Sequence, residues 1–317
     1  QIMKFLKSNV KGNIYDEEAL EEKFPRHEEI SYQTAAEGAI LLENNGILPL
    51  STDKKVLVVG RRWLDKVPHG GGAARVTGYN HVPLKDVMIE SFGNNVTFVA
   101  KPTAEQLKAA EVVLCVVGTF DSESTERPFE MEKVDEDLVR LAVANNPNTI
   151  VLIHTGSAIN MSAWHDKCAA SLLAWYPGQN GMQAIRDILI GKVNPSGKLP
   201  ITIERSFKDS PAVNTVPEGF SLKRAAGNPN EKAFQTWTYD VHYDESIFVG
   251  YRWFEHKNIK PLYPFGYGLS YTTFELSGAK VVAPGKVKVL TAEKPLKVAI
   301  KIKNTGASKG AEVIQLY

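Results

Sequence analysis

The apolar run Val112–Gly118 constrains the fold of this chain more than any other feature. Its first six residues are all apolar, and it ends in glycine. A strand without polar–apolar alternation is typical of a parallel sheet that helices cover on both faces. The run is therefore predicted to be a buried strand of an α/β fold.

Strands and helices alternate along the first two thirds of the chain. Short apolar strands are predicted at 55–60, 96–100, 112–118, 149–154 and 171–175. Helices are predicted at 30–42, 104–110, 132–145 and 181–190. This alternation implies right-handed crossovers and hence a doubly wound, mostly parallel sheet.

The pattern changes after residue 203. Residues 204–275 are rich in turns, aromatic residues and proline, and we expect an irregular excursion that folds back on the sheet domain. From residue 278 the pattern is one of short alternating strands, which predicts the opening of a β-sandwich. These strands are expected at 286–290, 296–303 and 312–317.

The chain begins at Gln1 and stops within a strand-like run at Tyr317, so we expect a piece of a longer polypeptide. Its 317 residues are enough for one large domain and part of a smaller one. The expected division is a linker over 1–30, an α/β domain over 31–277 and the start of a β-sandwich over 278–317.

The composition is that of an ordinary globular protein and excludes several functional classes. A net charge of +1 gives no electrostatic reason to expect nucleic acid or an anionic membrane as a partner. The sequence has no run of about 18 apolar residues that would predict a membrane span. Cys115 and Cys168 make neither a disulfide framework nor a zinc motif, and no metal is expected. His154 is interpreted as a hydrogen-bonded structural residue.

The stretch Asp121–Arg127 follows the buried strand directly and holds three carboxylates and one arginine. In open α/β sheets, ligands bind in the crevice beyond the carboxyl ends of the strands. Neighbouring carboxylates can raise one another's pKa, which favours a general acid at this place. The alternative interpretation is a solvated charge cluster that caps the following helix.

Four further parts of the sequence, each explained singly by turn chemistry or packing aromatics, combine into a more specific pattern. They are 36–50 (AEGAILLENNGILPL), 175–181 (WYPGQNG) with 194–202 (NPSGKLPIT), 243–252 (YDESIFVGYR) with 264–274 (PFGYGLSYTTF), and 304–306 (NTG) with 310–317 (GAEVIQLY). In this order and spacing they resemble the second half of glycoside hydrolase family 3, the β-glucosidase and β-xylosidase type. The resemblance runs from about residue 27 to residue 317.

The resemblance implies a three-part enzyme. A (β/α)8 barrel with an aspartate nucleophile comes first, an α/β sandwich domain with the general acid/base follows, and a fibronectin type III-like β-sandwich comes last. This chain would cover the second part and the start of the third, so no residue in it is nominated as nucleophile. Retaining glycosidases hold their two carboxylates roughly 5–5.5 Å apart. The active site is therefore expected between the barrel and the α/β domain.

Family members often read Glu-Ser-Glu-Gly-x-Asp-Arg in the acidic loop, and residues 121–127 match this pattern without a gap. By this resemblance Glu123 is the acid/base, and Asp121 is its rival. Glu126 stands where the pattern has aspartate, and it is expected to form an ion pair with Arg127 that holds the loop. Arg127 is also a candidate substrate-binding residue.

The stretch His69–Arg75 contains three consecutive glycines and invites a nucleotide-binding interpretation. The match to Gly-x-Gly-x-x-Gly is poor, and a flexible turn explains the run equally well. The resemblance favours a loop that rims the cleft, so Arg75 is a candidate contact to sugar or barrel. Candidate sugar-stacking residues are Trp63, Trp237 and Trp253, with packing as the alternative. Of these, Trp237 in the excursion is the first to test.

We therefore predict part of a retaining β-glucosidase that acts on short β-linked glucosides or cellooligosaccharides, without a cofactor or metal. The alternatives are a β-xylosidase or arabinosidase of the same family, a non-catalytic carbohydrate-binding module and an NAD-dependent oxidoreductase. The expected partners are a saccharide and the barrel, with a homodimer left open. A periplasmic or secreted location is favoured over a cytoplasmic one.

Overall fold

The computed structural model describes residues 21–65, 69–75, 78–123, 127–214, 243–282 and 297–316. Within them a six-stranded sheet has the order β1-β6-β5-β4-β2-β3, in which β1 is antiparallel to β6 and every other pair is parallel. Its strands are β1 (Ile40–Asn44), β2 (Val56–Val59), β3 (Val96–Val99), β4 (Val112–Gly118), β5 (Thr149–His154) and β6 (Ala170–Leu173). The predicted α/β class and mostly parallel sheet are confirmed.

Helices cover both faces of this sheet. They are α1 (Phe24–Gly38), α2 (Leu84–Phe92), α3 (Ala104–Ala109), α4 (Lys133–Asn145) and α5 (Gly181–Leu189), and α6 (Tyr251–Lys257) lies in the excursion. Alternate residues of β4 enter different cores, because successive strand side chains point to opposite faces. Leu114 packs with α2 and α5, whereas Val113 packs with α3 and α4.

The order of the strands creates a topological switch point between β2 and β4. From β2 the chain moves outward to β3 and then returns to β4 on the other side of β2. Crossovers that leave in opposite directions open a crevice at the carboxyl ends of the two strands, and ligands of doubly wound sheets bind there. The acidic loop follows β4 and the glycine run follows β2, so both lie at this crevice.

The predicted helix over 30–42 is wrong at both ends. Helix α1 begins at Phe24, with Pro25 in its first turn, and ends at Gly38, after which Ile40–Asn44 forms the antiparallel edge strand β1. The excursion covers this strand, since Leu269 donates a backbone hydrogen bond to Leu41. Burial on both faces makes the strand apolar without alternation, so its run was indistinguishable from a buried helix end. Helix α2 was not predicted.

The second sheet contains β7 (Phe274–Val281) and β8 (Val298–Asn304), paired antiparallel. Strand β8 confirms the strand predicted at 296–303, whereas β7 crosses the division placed between residues 277 and 278. The strand predicted at 312–317 is wrong for 312–316, which are irregular in the structure. The predicted strand 286–290 and most of the predicted linker, residues 1–20, lie outside the described residues. Across the described ranges, none of the helices combines the length and the apolarity that a bilayer crossing requires.

Candidate active site

The acidic loop and the glycine run meet in the crevice at the switch point. Gly71 forms a parallel bridge with Ser122, and its amide donates a hydrogen bond to the carbonyl oxygen of Asp121 (2.7 Å). The bridge is an isolated one that lies outside the strands of the sheet. The backbone at Asp121 and Ser122 is therefore held by the loop that follows β2.

The glycines are required by the closeness of this contact. A Cβ atom on Gly71 would lie 2.5 Å from Oγ of Ser122, and one on Gly72 would lie 2.8 Å from Cβ of Glu123. Gly72 also has φ +62°, a region that glycine adopts without steric cost. The run is a short 3₁₀ turn, Gly72–Ala74, packed against the acidic loop, which argues against the nucleotide-binding interpretation.

Glu123 is an exposed carboxylate on the crevice side of this contact. Its Oε2 accepts a hydrogen bond from the backbone amide of Ala73 (3.2 Å). An exposed carboxylate that one donor orients can exchange a proton with a bound molecule. Glu123 is therefore a candidate general acid/base.

Asp121 is held much more tightly. Its Oδ2 accepts from the amide of Gly156 (2.6 Å) and lies 3.0 Å from the Tyr176 hydroxyl and 3.1 Å from Oγ1 of Thr119. Its Oδ1 forms an ion pair with Nε of Arg127. These partners come from the loops after β4, β5 and β6 and surround both carboxylate oxygens.

Arg127 closes the other end of the acidic loop. Besides the ion pair with Asp121, its guanidinium donates to the carbonyl oxygens of Pro128 (2.7 Å) and Ala158 (2.8 Å) and to Oγ of Ser157. The ion pair predicted between Arg127 and Glu126 involves a residue outside the described part of the chain. The carboxylate partner that the structure describes for Arg127 is Asp121, and its contacts hold the loops after β4 and β5 together.

Full or partial burial keeps three groups near the loop uncharged. Burial lowers the pKa of His154 to about 4, and Arg62 adds to this shift. Nδ1 of His154 lies 3.3 Å from the carbonyl oxygen of Trp175, as expected for a structural histidine. Burial raises the pKa of Tyr176, so its hydroxyl keeps its proton at neutral pH. Cys115 in β4 is fully buried, and burial raises its pKa as well.

A second charged cluster lies at the same edge of the sheet and was not predicted. Asp135 in α4 is almost fully buried, and its carboxylate pairs with Arg61 (3.2 Å) and Arg62 (3.5 Å). Arg62 also donates to the carbonyl oxygen of Gly118 (3.3 Å). The cluster joins the exit of β2 to the first turn of α4 and fixes the wall behind the acidic loop.

The contacts described for the remaining candidate residues do not involve Asp121 or Glu123. Arg75 is exposed at the end of the glycine turn, and Trp237 is outside the described residues. Trp63 packs against Phe98 with ring centroids 5.0 Å apart. Nε1 of Trp253 donates to the carbonyl oxygen of Asp209 (2.9 Å) within the excursion. The described contacts of these two tryptophans are those of packing residues.

The sequence analysis missed Tyr176, Gly156 and the amide of Ala73. Tyr176 belongs to a segment that contributed to the family resemblance, but without the strand order nothing linked it to the acidic loop. Gly156 is the second residue after β5, and a glycine close to a strand exit is the signal that could have identified it. A Cβ atom there would lie 2.7 Å from Oδ2 of Asp121.

A small cavity lies on the far side of the acidic loop. It has a volume of about 120 Å³ and is lined by Thr119, Phe120, Arg127, Pro128, Glu130, Met131 and Glu132. Small-molecule sites usually begin at about 300 Å³, so this cavity is too small to enclose a saccharide. Glu123 does not line this cavity and stays exposed.

Known proteins resemble the chain over most of its length. A β-glucosidase of Bacteroides ovatus is 29% identical over 92% of this chain, and an exo-α-(1→6)-L-arabinopyranosidase of Bifidobacterium longum is 30% identical over 92%. The chain spans 42% and 39% of these two relatives. The solved structure of β-glucosidase 3B from Thermotoga neapolitana matches with a TM-score of 0.73 and 26% identity over 90% of this chain and 42% of that one.

The family assignment follows from the match to a family model. Residues 39–271 match the model described as "Glycosyl hydrolase family 3 C-terminal domain". The matched region contains all six strands of the sheet, whereas helix α1 lies outside it. The relatives named above and the observed fold agree with this match. The chain therefore belongs to glycosyl hydrolase family 3, of which residues 39–271 are the C-terminal domain.

Proposed function

We propose that this chain supplies the general acid/base of a retaining β-glucosidase, with Glu123 in that role. In the first step Glu123 protonates the oxygen of the departing group while a nucleophile attacks the anomeric carbon. In the second step the Glu123 carboxylate accepts a proton from the water that hydrolyses the glycosyl-enzyme. The nucleophile belongs to a (β/α)8 barrel beyond this chain, which also forms the second wall of the site.

The contrast between Glu123 and Asp121 supports this proposal most directly. Both carboxylates lie at the switch point, but donors and a guanidinium surround the oxygens of Asp121. A leaving-group oxygen has no approach to Asp121 without displacing one of these partners. Glu123 is exposed and held by one amide, so it can reach a sugar in the crevice. Asp121, the rival acid/base, is better suited to holding the loop.

Arg75 and Arg127 have different places in this proposal. Arg75 is exposed at the end of the glycine turn, two residues after the amide that donates to Glu123, and it is proposed to contact the saccharide or the barrel. The guanidinium of Arg127 is occupied by contacts within the protein, which favours loop fixation over substrate binding. Trp237 stays a predicted sugar-stacking residue.

The experiment compares Glu123→Ala with Glu130→Ala in the enzyme that includes the barrel. Loss of the proton donor should lower kcat for an unactivated glucoside such as cellobiose by about 100-fold or more. The effect on an aryl glucoside with an acidic leaving group should be much smaller, and added azide should restore part of its turnover. Glu130 is exposed and lies seven residues further along the same connection, so it is the matched control. Equal losses on both substrates without rescue by azide would overturn the assignment.

The sugar specificity has a second candidate because of one relative. The Bifidobacterium longum protein is named an arabinopyranosidase and covers as much of this chain as the Bacteroides ovatus β-glucosidase. Comparing kcat/KM for aryl β-D-glucopyranoside, β-D-xylopyranoside and α-L-arabinopyranoside decides between them. We expect the glucoside to be preferred. Calorimetry of this chain alone with cellobiose tests the binding-module alternative, and we expect no measurable affinity.

A further inference from the structure

The Tyr176 hydroxyl makes three hydrogen bonds to the segment that follows β4. Its hydroxyl oxygen accepts the amide hydrogen of Asp121 (3.0 Å). The hydroxyl proton has two acceptors within reach, Oδ2 of Asp121 (3.0 Å) and the carbonyl oxygen of Thr119 (3.1 Å). One phenol from the loop after β6 thus contacts the backbone and the side chain of the loop after β4, two residues from Glu123.

The position of Tyr176 is itself fixed by the backbone around it. Trp175 precedes it with φ +52°, a conformation that few residues other than glycine adopt. The half-buried phenol packs against Gly156, where a Cβ atom would lie 3.0 Å from Cε2 of the ring. The loops after β4, β5 and β6 therefore meet at one point without room for an additional methyl group.

The contacts of Tyr176 lead stepwise to Glu123. Tyr176 holds Asp121, and the carbonyl oxygen of Asp121 accepts from the amide of Gly71 (2.7 Å). Gly71 leads into the turn in which the amide of Ala73 donates to the Glu123 carboxylate (3.2 Å). Movement of Asp121 would therefore shift both the loop that carries Glu123 and the donor that orients it.

We propose that Tyr176 is a positioning residue for the proton donor, which it places through Asp121. The proposal rests on the role of Glu123 proposed above. A misplacement of about 1 Å in an active site can lower turnover by about 100-fold. Tyr176 needs no contact with the substrate for this effect, because it acts on the loop that holds the acid.

The kinetic test is Tyr176→Phe in the enzyme that includes the barrel. This change removes the hydroxyl and keeps the ring that packs on Gly156. We expect kcat for cellobiose to fall about 10- to 100-fold with KM changed less than about 3-fold. Turnover of an activated aryl glucoside, which needs little protonation of the leaving group, should fall less than about 3-fold. Equal losses on both substrates would show a merely structural role and overturn the proposal.

Tyr271→Phe is the matched control. The Tyr271 hydroxyl donates to the carbonyl oxygen of Ile188 (2.9 Å), at the end of α5 distant from the crevice. The variant Tyr271→Phe removes the same type of hydrogen bond, phenol to backbone carbonyl, and should leave the activities on both substrates unchanged. Identical kinetics of the two variants would contradict the proposal.

Amide hydrogen exchange on this chain alone separates the two proposals. In Tyr176→Phe the amides of Asp121 and Gly156 should exchange about fivefold faster, the effect expected for loss of one hydrogen bond, while the β4 and β5 amides stay unchanged. Unchanged exchange at these two amides would overturn the positioning role whatever the kinetics. Full activity of Glu123→Ala would refute the proposed function, and the exchange result would still show whether Tyr176 fixes the loop.

Discussion

The amino edge and the carboxyl edge of the six-stranded sheet, where its parallel strands begin and end, use polar residues in opposite ways. At the amino edge, Glu43 accepts a hydrogen bond from Tyr263 (2.7 Å), and the side chain of Asn146 donates to the carbonyl oxygens of Leu107 and Ala110 (2.8 Å each). The excursion covers this edge. At the carboxyl edge Asp121 is equally well partnered, but Glu123 beside it stays exposed. Similar local chemistry thus closes one edge and leaves an accessible carboxylate at the other.

Different residues of the acidic loop supply rigidity and accessibility: Asp121 fixes the loop, and Glu123 stays exposed. Phe120, with 53% of its surface exposed, and Glu123 flank Asp121, which is held by three loops. Asp121 thus fixes the loop, and the carboxylate of Glu123 stays accessible.

The largest expected difference between the edges is a pH effect at the carboxyl edge. His154 has a folded-state pKa of about 4, against 6.5 in an ordinary environment, so the unfolded chain binds more protons between these values. Stability should therefore fall as the pH drops from about 6.5 to 4, by up to about 3 kcal/mol. Urea unfolding across this range measures it, and His154→Leu should flatten the acid limb. The exposed His27→Leu is the control, and an acid limb that survives in His154→Leu would contradict the assignment.

The next effect in size comes from Gly156→Ala at the carboxyl edge. A methyl group there collides with the Asp121 carboxylate and the Tyr176 ring, so the acidic loop must shift. We expect kcat for cellobiose to fall about 10- to 100-fold. Gly38→Ala is the control, since a Cβ atom on Gly38 meets nothing within 4 Å. Unchanged turnover in Gly156→Ala would show that the loops after β4, β5 and β6 can shift where they meet without loss of activity.

A change at the amino edge should affect stability and leave catalysis alone. Tyr263→Phe leaves the half-buried Glu43 carboxylate without its short hydrogen bond, which should lower the free energy of unfolding by about 1–3 kcal/mol. Tyr267→Phe removes a hydrogen bond to the carbonyl oxygen of Leu42 (3.0 Å) and should cost about 1 kcal/mol. Both variants should keep wild-type kcat and KM for cellobiose. A change in kcat would mean that the two edges are coupled through the sheet.

Arg75→Ala should have the smallest effect on stability. Arg75 is exposed, and surface changes of this kind usually alter the free energy of unfolding by less than about 0.5 kcal/mol. If Arg75 contacts the saccharide, KM for cellobiose should rise by about 3- to 10-fold in the enzyme that includes the barrel. Arg26→Ala, on the exposed face of α1, should change neither quantity. Equal KM values in the two variants would remove Arg75 from the site.

The sequence predicts the sheet well because its parallel strands are apolar throughout. Val112–Gly118 and Thr149–His154 were predicted with the bounds that the structure shows. The edge strand β1 was missed because its cover, the excursion around Leu269, lies more than 200 residues away in the sequence. Helix α2 shows the helical spacing Leu84, Val87, Met88 on its buried face, and this spacing is a signal for the helix in the sequence itself.

The candidate site was predictable in position and less so in its contacts. The family pattern and the position after β4 identify Glu123 and Asp121 as candidates for the acid/base. They do not decide which of the two has that role. What distinguishes the two carboxylates is the set of loops that meets at Asp121. That set depends on the strand order, which brings Gly156 and Tyr176 to the same point and which periodicity alone does not determine.

The antiparallel strand β1 decides where this protein can be divided into parts. It covers β6, whose hydrogen-bonding side would otherwise be an open sheet edge of apolar residues. Open edges of this kind pair with other chains and aggregate. A recombinant fragment that begins after Asn44 would retain the acidic loop and still precipitate, so any dissection of the enzyme should cut on the N-terminal side of Phe24.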